Sequence, residues 1–169
     1  DLDLVWECTK AVIRECVKDR EVAHGLAGIS LCGAGGGLVL LGDRKNPIGF
    51  GISSMDTRAA DIVASWKAQG VLEKLYPLIG ETPYPGTAVA LLAWTKNNQP
   101  ELYSKAVHIC FLKDWVRYKL TDVLCTDPTD ASATLTDLSG TYHDSVFELL
   151  GIEECAEKTV PIVDSANMV

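Results

Sequence analysis

The sequence predicts an α/β fold in a single domain, and two observations carry that reading. Short apolar runs of strand length come first, at 26–32 (LAGISLC), 38–41 (LVLL) and 48–53 (IGFGIS). From residue 55 onward, apolar residues recur mostly at the three-to-four spacing of helices. Strands gathered early and helices later fit an α/β or α+β domain, and no internal repeat points to a solenoid. The 169 residues suffice for one domain with a real core, and 47% apolar with 22% charged residues are globular proportions.

Each element has a local signal. Residues 3–19 form an amphipathic helix in which Val5, Cys8, Val12 and Cys16, with Ile13 and Val17, make one buried stripe. Asp1 or Asp3 supplies its cap. Residues 26–32 suit a buried strand, 38–41 a second, and 48–53 a third that two glycines weaken. Met55–Gly70 reads as a helix ending at Gly70, and Val71–Leu78 as a shorter one. Thr82-Pro83-Tyr84-Pro85-Gly86 is a rigid loop. Helices are expected at 88–97 and 100–107, a short strand at 107–112, and a helix at Lys113–Leu120. Residues 123–137 read as short strands and loop, and His143–Leu150 as a last helix stopped by Gly151.

The net charge of −8 and the sequence pI near 4.8 argue against nucleic acid and anionic membrane as partners, because phosphate contacts need clustered Lys and Arg. No apolar run approaches the roughly 18 residues of a membrane span, and Asp1-Leu2-Asp3 is acidic where a signal peptide is basic. The six cysteines, at 8, 16, 32, 110, 125 and 155, form no CxxC pair and no zinc spacing with His. Buried free thiols in a reducing, cytoplasmic setting are the expectation, and no metal site is expected.

Three motifs carry candidate chemistry. Gly33–Gly37 holds four glycines in five residues between two strands, which suits either a close approach to the backbone or a tight, flexible β-turn. It is neither a Walker loop nor a dinucleotide fingerprint, since no Gly-Lys-Ser/Thr follows and the next element is a strand. Asp56-x-Arg58 opens the next helix, where a carboxylate is favoured by free amides. Lys113-Asp114 and Asp127 read as an ion-pair network. No nucleophile–base pair can be assembled from the chain.

The stretch Phe111–Ser132 (FLKDWVRYKLTDVLCTDPTDAS) resembles the lysine–aspartate–aromatic block and the following threonine–aspartate and alanine–serine pairs of the FGGY carbohydrate kinases. Gly33 and Gly37 match the glycines that flank this family's sugar-contacting loop. Ala34 stands where Gln is usual, and Gly35 and Gly36 stand where xylulose kinases commonly have Met and His. Asp56-x-Arg58 matches the pair that lines the sugar cleft. Ser53-Ser54-Met55 replaces a usual tryptophan and, with Glu73–Leu78, resembles the L-xylulose kinase branch. Tyr84-x-Gly86-Thr87, Leu91-Leu92-x-Trp94 and Asn97-Asn98 overlie the family's first signature.

The resemblance implies a partial ribonuclease H-like N-terminal domain of the actin-like ATPase superfamily, occupying residues 1–169. It implies a parent enzyme that phosphorylates a ketopentose or related sugar or polyol, L-xylulose-like, with ATP and Mg²⁺. It assigns substrate binding to Gly35, Gly36, Asp56, Arg58 and Tyr84. It places no catalytic residue in this chain, because the base aspartate is expected downstream. The phosphate-binding Asp-x-Gly-Thr hairpin occurs nowhere in 1–169, and the C-terminal ATP-binding domain is expected to lie outside it. The isolated chain is therefore expected to bind neither ATP nor Mg²⁺ and to transfer no phosphate. A non-catalytic sugar-binding or interaction module on the same scaffold is the alternative. A sheet edge left without its hairpin neighbour favours association, so a homodimer is expected.

Overall fold

The computed structural model describes residues 1–33 and 35–167. A short sheet lies between two helical layers. Its centre is β1 (Val39–Leu41), paired antiparallel with β2 (His108–Cys110) in the register Val39 to Cys110, Leu40 to Ile109 and Leu41 to His108. On the other side of β1, residues 47–52 make only isolated bridges, Leu38 with Ile52 and Leu41 with Pro47. The third strand expected at 48–53 is thus broken. Gly49, at φ +80°, interrupts it, and the adjoining Phe50 is left 75% exposed.

Successive side chains of a strand point to opposite faces, and here both faces are covered. Leu38 and Leu40 enter one core with Ile109 and Phe111. Val39 and Leu41 enter a second core with Cys110, Trp115 and Val116. A strand buried on both sides needs a continuous apolar run, which is why 38–41 shows no alternation.

The helices are α1 (Leu2–Cys16), α2 (Arg20–Gly25), α3 (Ala60–Ala68), α4 (Val71–Ile79), α5 (Ala88–Asn98), α6 (Pro100–Lys105), α7 (Leu112–Thr121), α8 (Pro128–Ala131) and α9 (Asp144–Leu149), followed by a 3₁₀ turn at Glu153–Lys158. α5 is the axis of the larger core. Val89, Leu91 and Leu92 are fully buried although they point in different directions, as an all-round apolar helix must be. Its buried Thr95 is satisfied by donating its hydroxyl to the Leu91 carbonyl at 2.7 Å. The smaller core is roofed by α7 and by the start of α1, whose cap is Asp1 accepting from the Asp3 and Leu4 amides.

Several sequence expectations are corrected. Residues 26–32 are irregular and almost wholly exposed rather than a strand, because no described strand lies beside them to take their backbone hydrogen bonds. The stripe of α1 is present, yet only Leu2 is buried. Cys8, Cys16 and Cys32 are exposed, whereas Cys110, Cys125 and Cys155 are buried. Nothing in the described chain covers the outer part of that helix; Val12 is 63% exposed. Residues 123–137 contain the one-turn α8 rather than strands, with single bridges at Thr126 to Ile162 and Thr136 to Tyr142. Asp56 precedes its helix instead of opening it, because α3 begins at Ala60.

Three segments cross within van der Waals contact where β1 begins. The Gly37 amide donates to the Gly86 carbonyl at 3.1 Å, and Leu38 exchanges backbone bonds with Ile52 at 2.9 and 2.8 Å. Gly86 has no room for a side chain, since a Cβ there would stand 1.8 Å from the Ser54 carbonyl oxygen. Gly86→Ala is therefore expected to lower the unfolding free energy by about 3 kcal/mol in urea denaturation. Gly28→Ala, where a Cβ meets nothing within 4 Å, is expected to change it by no more than about 0.5 kcal/mol.

Candidate functional site

The glycine loop reaches the site through that crossing. Gly36 and Gly37 have φ of +74° and +76°, a region L side chains rarely adopt, so glycine is required for backbone reasons as well as space. A Cβ on Gly36 would lie 3.2 Å from both the Tyr84 hydroxyl and the Ser54 Cβ. Tyr84 is half-exposed, on the loop whose turn is closed by the Thr87 hydroxyl and amide donating to the Tyr84 carbonyl at 2.7 and 3.0 Å. Gly36, Ser54 and Tyr84 therefore share one wall. A cavity of about 150 Å³ adjoins it, lined by Gly36, Ser53 and Ser54 and by the apolar side chains of Leu2, Leu38 and Ile52. Ala34 lies outside the described residues.

Asp56 and Arg58 form a second group. The Arg58 guanidinium donates through Nε and Nη2 to the two oxygens of Asp56 at 2.9 and 2.8 Å. Asp56 also accepts from the Arg58 amide, which fixes the turn before α3. The guanidinium lies 4.9 Å from the centre of the Trp94 ring. The hydrogen bond from Arg58 holds the Asp56 carboxyl below its usual range, and the same bond raises the Arg58 group. Trp94 is half-buried, packs against the larger core and serves as the platform for this fork. The structure thus gathers Gly36 with Tyr84, and Asp56 with Arg58, as two neighbouring groups joined by Ser54 and Met55.

Gly35 belongs to a third group. A Cβ there would lie 3.5 Å from Asp130 Oδ1, and one on Gly33 would lie 3.5 Å from the Lys113 Cβ. The glycine loop therefore rests on a nearly buried ion cluster. Lys113 Nζ donates to Asp127 Oδ2 at 2.6 Å and to Asp130 Oδ2 at 2.5 Å, and stands 3.8 Å from Asp114. Arg117 donates to Asp114 at 3.1 Å and to the Cys125 carbonyl. Asp127 also caps α8, accepting from the Thr129 and Asp130 amides. The sequence alone assigns no role to Asp130 or Arg117. Their signals were present in the Asp127/Asp130 spacing of one capped turn and the Asp114/Arg117 spacing of one helical turn.

The electrostatics follow from burial. Asp114 is fully buried, and burial pushes its carboxyl up to about 6 against the opposing pull of Lys113 and of the Phe111 amide. Burial works against the Lys113 charge, but the hydrogen bonds to Asp127 and Asp130 outweigh it and raise the ammonium above its ordinary range. Asp127 is likewise opposed by burial, and the bond from Lys113 brings it below the carboxylate range. Among the described residues no group of three or more His, Cys, Asp or Glu is set to hold a metal ion. The three carboxylates here surround an ammonium instead of leaving a ligand set, so these residues do not fit Mg²⁺ or a nucleotide phosphate.

A short sheet flanked by helices on both faces, with its glycine loop at one end, is an α/β arrangement, and it is shared with solved sugar kinases of the actin-like ATPase fold. A solved gluconate kinase from Lactobacillus acidophilus superposes with a TM-score of 0.85 at 24% identity, covering 96% of this chain and 33% of that one, which is a likeness of fold. A ligand-bound xylulose kinase from the same organism gives 0.81 at 24% identity over 96% of this chain and 33% of its own. All of residues 1–169 match the model of the FGGY family of carbohydrate kinases, N-terminal domain, and the chain belongs to that family. A probable L-xylulose kinase of Pasteurella multocida is 34% identical, covering 100% of this chain and 35% of that protein. The L-xylulose/3-keto-L-gulonate kinase of Escherichia coli is 35% identical, covering 99% of this chain and 34% of that protein. The chain thus spans about a third of the length of these curated relatives.

Two outcomes test the cluster. Lys113→Met leaves three nearly buried carboxylates without their shared cation and is expected to lower the unfolding free energy by about 3 kcal/mol in denaturant titration. The Asp114 carboxyl titrates near 6 in the folded chain against an ordinary 3.8, so the folded state binds that proton more tightly. Its contribution favours folding at low pH and is lost as pH rises through about 6. Wild type is therefore expected to lose stability relative to Asp114→Asn between about pH 4 and pH 6, read as the difference between two pH series of unfolding midpoints.

Proposed function

We propose that this chain is the sugar-binding portion of an ATP-dependent carbohydrate kinase acting on a ketopentose or related polyol of L-xylulose type. The observation that supports the reading best is the similarity to two L-xylulose kinases along essentially the whole chain, at 34% and 35% identity. The local geometry agrees with it. Gly36 lines the small cavity beside half-exposed Tyr84, Gly35 leaves the same loop exposed over Asp130, and the Asp56–Arg58 fork sets a rigid, solvated polar edge nearby. A small polyhydroxylated ligand is recognised by such fixed donors and acceptors around a partly apolar wall.

In this reading residues 1–169 form one domain whose residues bind and orient the sugar. Phosphoryl transfer further needs a phosphate cradle, Mg²⁺ and a base or positioning group for the attacking hydroxyl. We assign these, with ATP, to other parts of the protein, and the 169-residue chain alone is then inactive. Gly35 and Gly36 favour one second reading, a sugar-binding module without catalysis, because they leave that wall without polar side chains.

Coupled-enzyme detection of ADP release is the test. The 169-residue chain is expected to release none from ATP with L-xylulose or D-xylulose, and the complete open reading frame that encodes it is expected to turn over at least one ketopentose. Turnover by the short chain would overturn the division of labour. A complete protein that binds ketopentose without ADP release would favour the second reading.

A further inference from the structure

The cluster beneath the glycine loop does not balance its own charge. Lys113 and Arg117 supply two positive groups, and Asp114, Asp127 and Asp130 supply three negative ones. Arg117 is matched by Asp114. Lys113 is matched by Asp127, which is also fixed by capping α8. Asp130 is the remaining carboxylate. Its side chain is only 7% exposed, and keeping a nearly buried charge beyond what the local cations neutralise is costly.

The two oxygens of Asp130 have different surroundings. Oδ2 accepts from Lys113, which is the only hydrogen bond the carboxylate receives among the described residues. Oδ1 receives no hydrogen bond among the described residues and lies against exposed Gly35, 3.5 Å from where a Cβ would stand. A methyl group on Gly35 would meet this oxygen at an ordinary contact distance, so crowding does not demand glycine there. The absent side chain leaves an acceptor oxygen uncovered at the loop that forms the candidate sugar wall.

We propose that Asp130 is a specificity-determining residue that accepts a hydrogen bond from a ligand hydroxyl through Oδ1 and selects neutral polyols and ketoses over sugar acids. The inference rests on the sugar-binding reading above. A hydroxyl donating to a carboxylate makes a charge-assisted bond, which is stronger than a neutral one. The same uncompensated negative charge repels the carboxylate of an aldonic acid at the same position. Lys113 holds the acid in place and spreads part of its charge without cancelling the excess.

Binding of L-xylulose, xylitol and D-gluconate to the 169-residue chain, followed by amide shift perturbation, is the experiment. Wild type is expected to bind L-xylulose and xylitol in preference to D-gluconate, with shifts at Gly35 and Gly36. Asp130→Asn is expected to weaken L-xylulose and xylitol about tenfold while D-gluconate binding holds or improves, so that the preference narrows. The same spectra report whether the variant is folded. Gly35→Ala is the second variant; its methyl group covers Oδ1 at an ordinary contact distance and is expected to weaken the neutral ligands in the same way. Neutral-ligand affinities unchanged in both variants would overturn the role of Asp130 and leave the sugar-binding reading intact. Equal weakening of all three ligands would also overturn it, because a merely structural residue does that. No shift in wild type with any of the three would overturn the sugar-binding reading itself, and the inference with it.

Discussion

The ammonium of Lys113 is the point on which the site end of the molecule depends. It leaves α7 at its first turn and reaches two carboxylates on the segment 126–131, 2.5 and 2.6 Å away. That segment also pairs with 161–163, as the Thr126 amide donates to the Pro161 carbonyl and the Val163 amide to the Thr126 carbonyl, both at 2.9 Å. One cation therefore fastens a helix to a capped turn and, through Thr126, to the segment 161–163. The glycine loop lies on top of the same group. A lysine suits this place because its single charged nitrogen carries several donors and accepts more than one carboxylate without imposing planar geometry.

The site's second constraint is steric. Gly37, Gly86 and Ser54 meet so closely that their backbones are in contact, and this crossing decides where Tyr84 and the glycine loop stand relative to each other. The sheet behind it is small, with three residues in each regular strand, yet both its faces are buried. The rigidity of the wall thus comes from packing around β1 more than from the length of the ladder. The Asp56–Arg58 fork is built differently. It is solvated, ordered by a local turn and by the face of Trp94, and it presents charge without burying it.

The exposed half of the molecule carries a different message. The outer stripe of α1 and most of the run 26–32 are apolar and exposed, with Leu31 alone of that run packed against the smaller core. Apolar surface of this kind raises the tendency to associate. It also shows that amphipathic spacing specifies which side of a helix seeks cover and leaves open what supplies it.

The sequence by itself determined much here. Helix spacing located α4, α5 and α7 closely, the continuous apolar run marked β1 as a doubly buried strand, and the lysine–aspartate block with the glycine loop pointed to the right family. These are local or pattern properties, set by the side-chain periods of helix and strand and by glycine's backbone freedom. The tertiary structure alone decided the rest. Residues 26–32 have strand composition but no described strand to bond with, and hydrogen-bond pairing is not a local property. The burial of Cys110, Cys125 and Cys155 and the exposure of Cys8, Cys16 and Cys32 depend on which faces find cover. Trp94 packs against the core and also serves as a platform because Arg58, 36 positions earlier in the sequence, lies over its ring. Asp130 took its place beside Lys113 and Gly35 because a short capped turn carries it there, and charge balance within a cluster is legible only once its members are in contact.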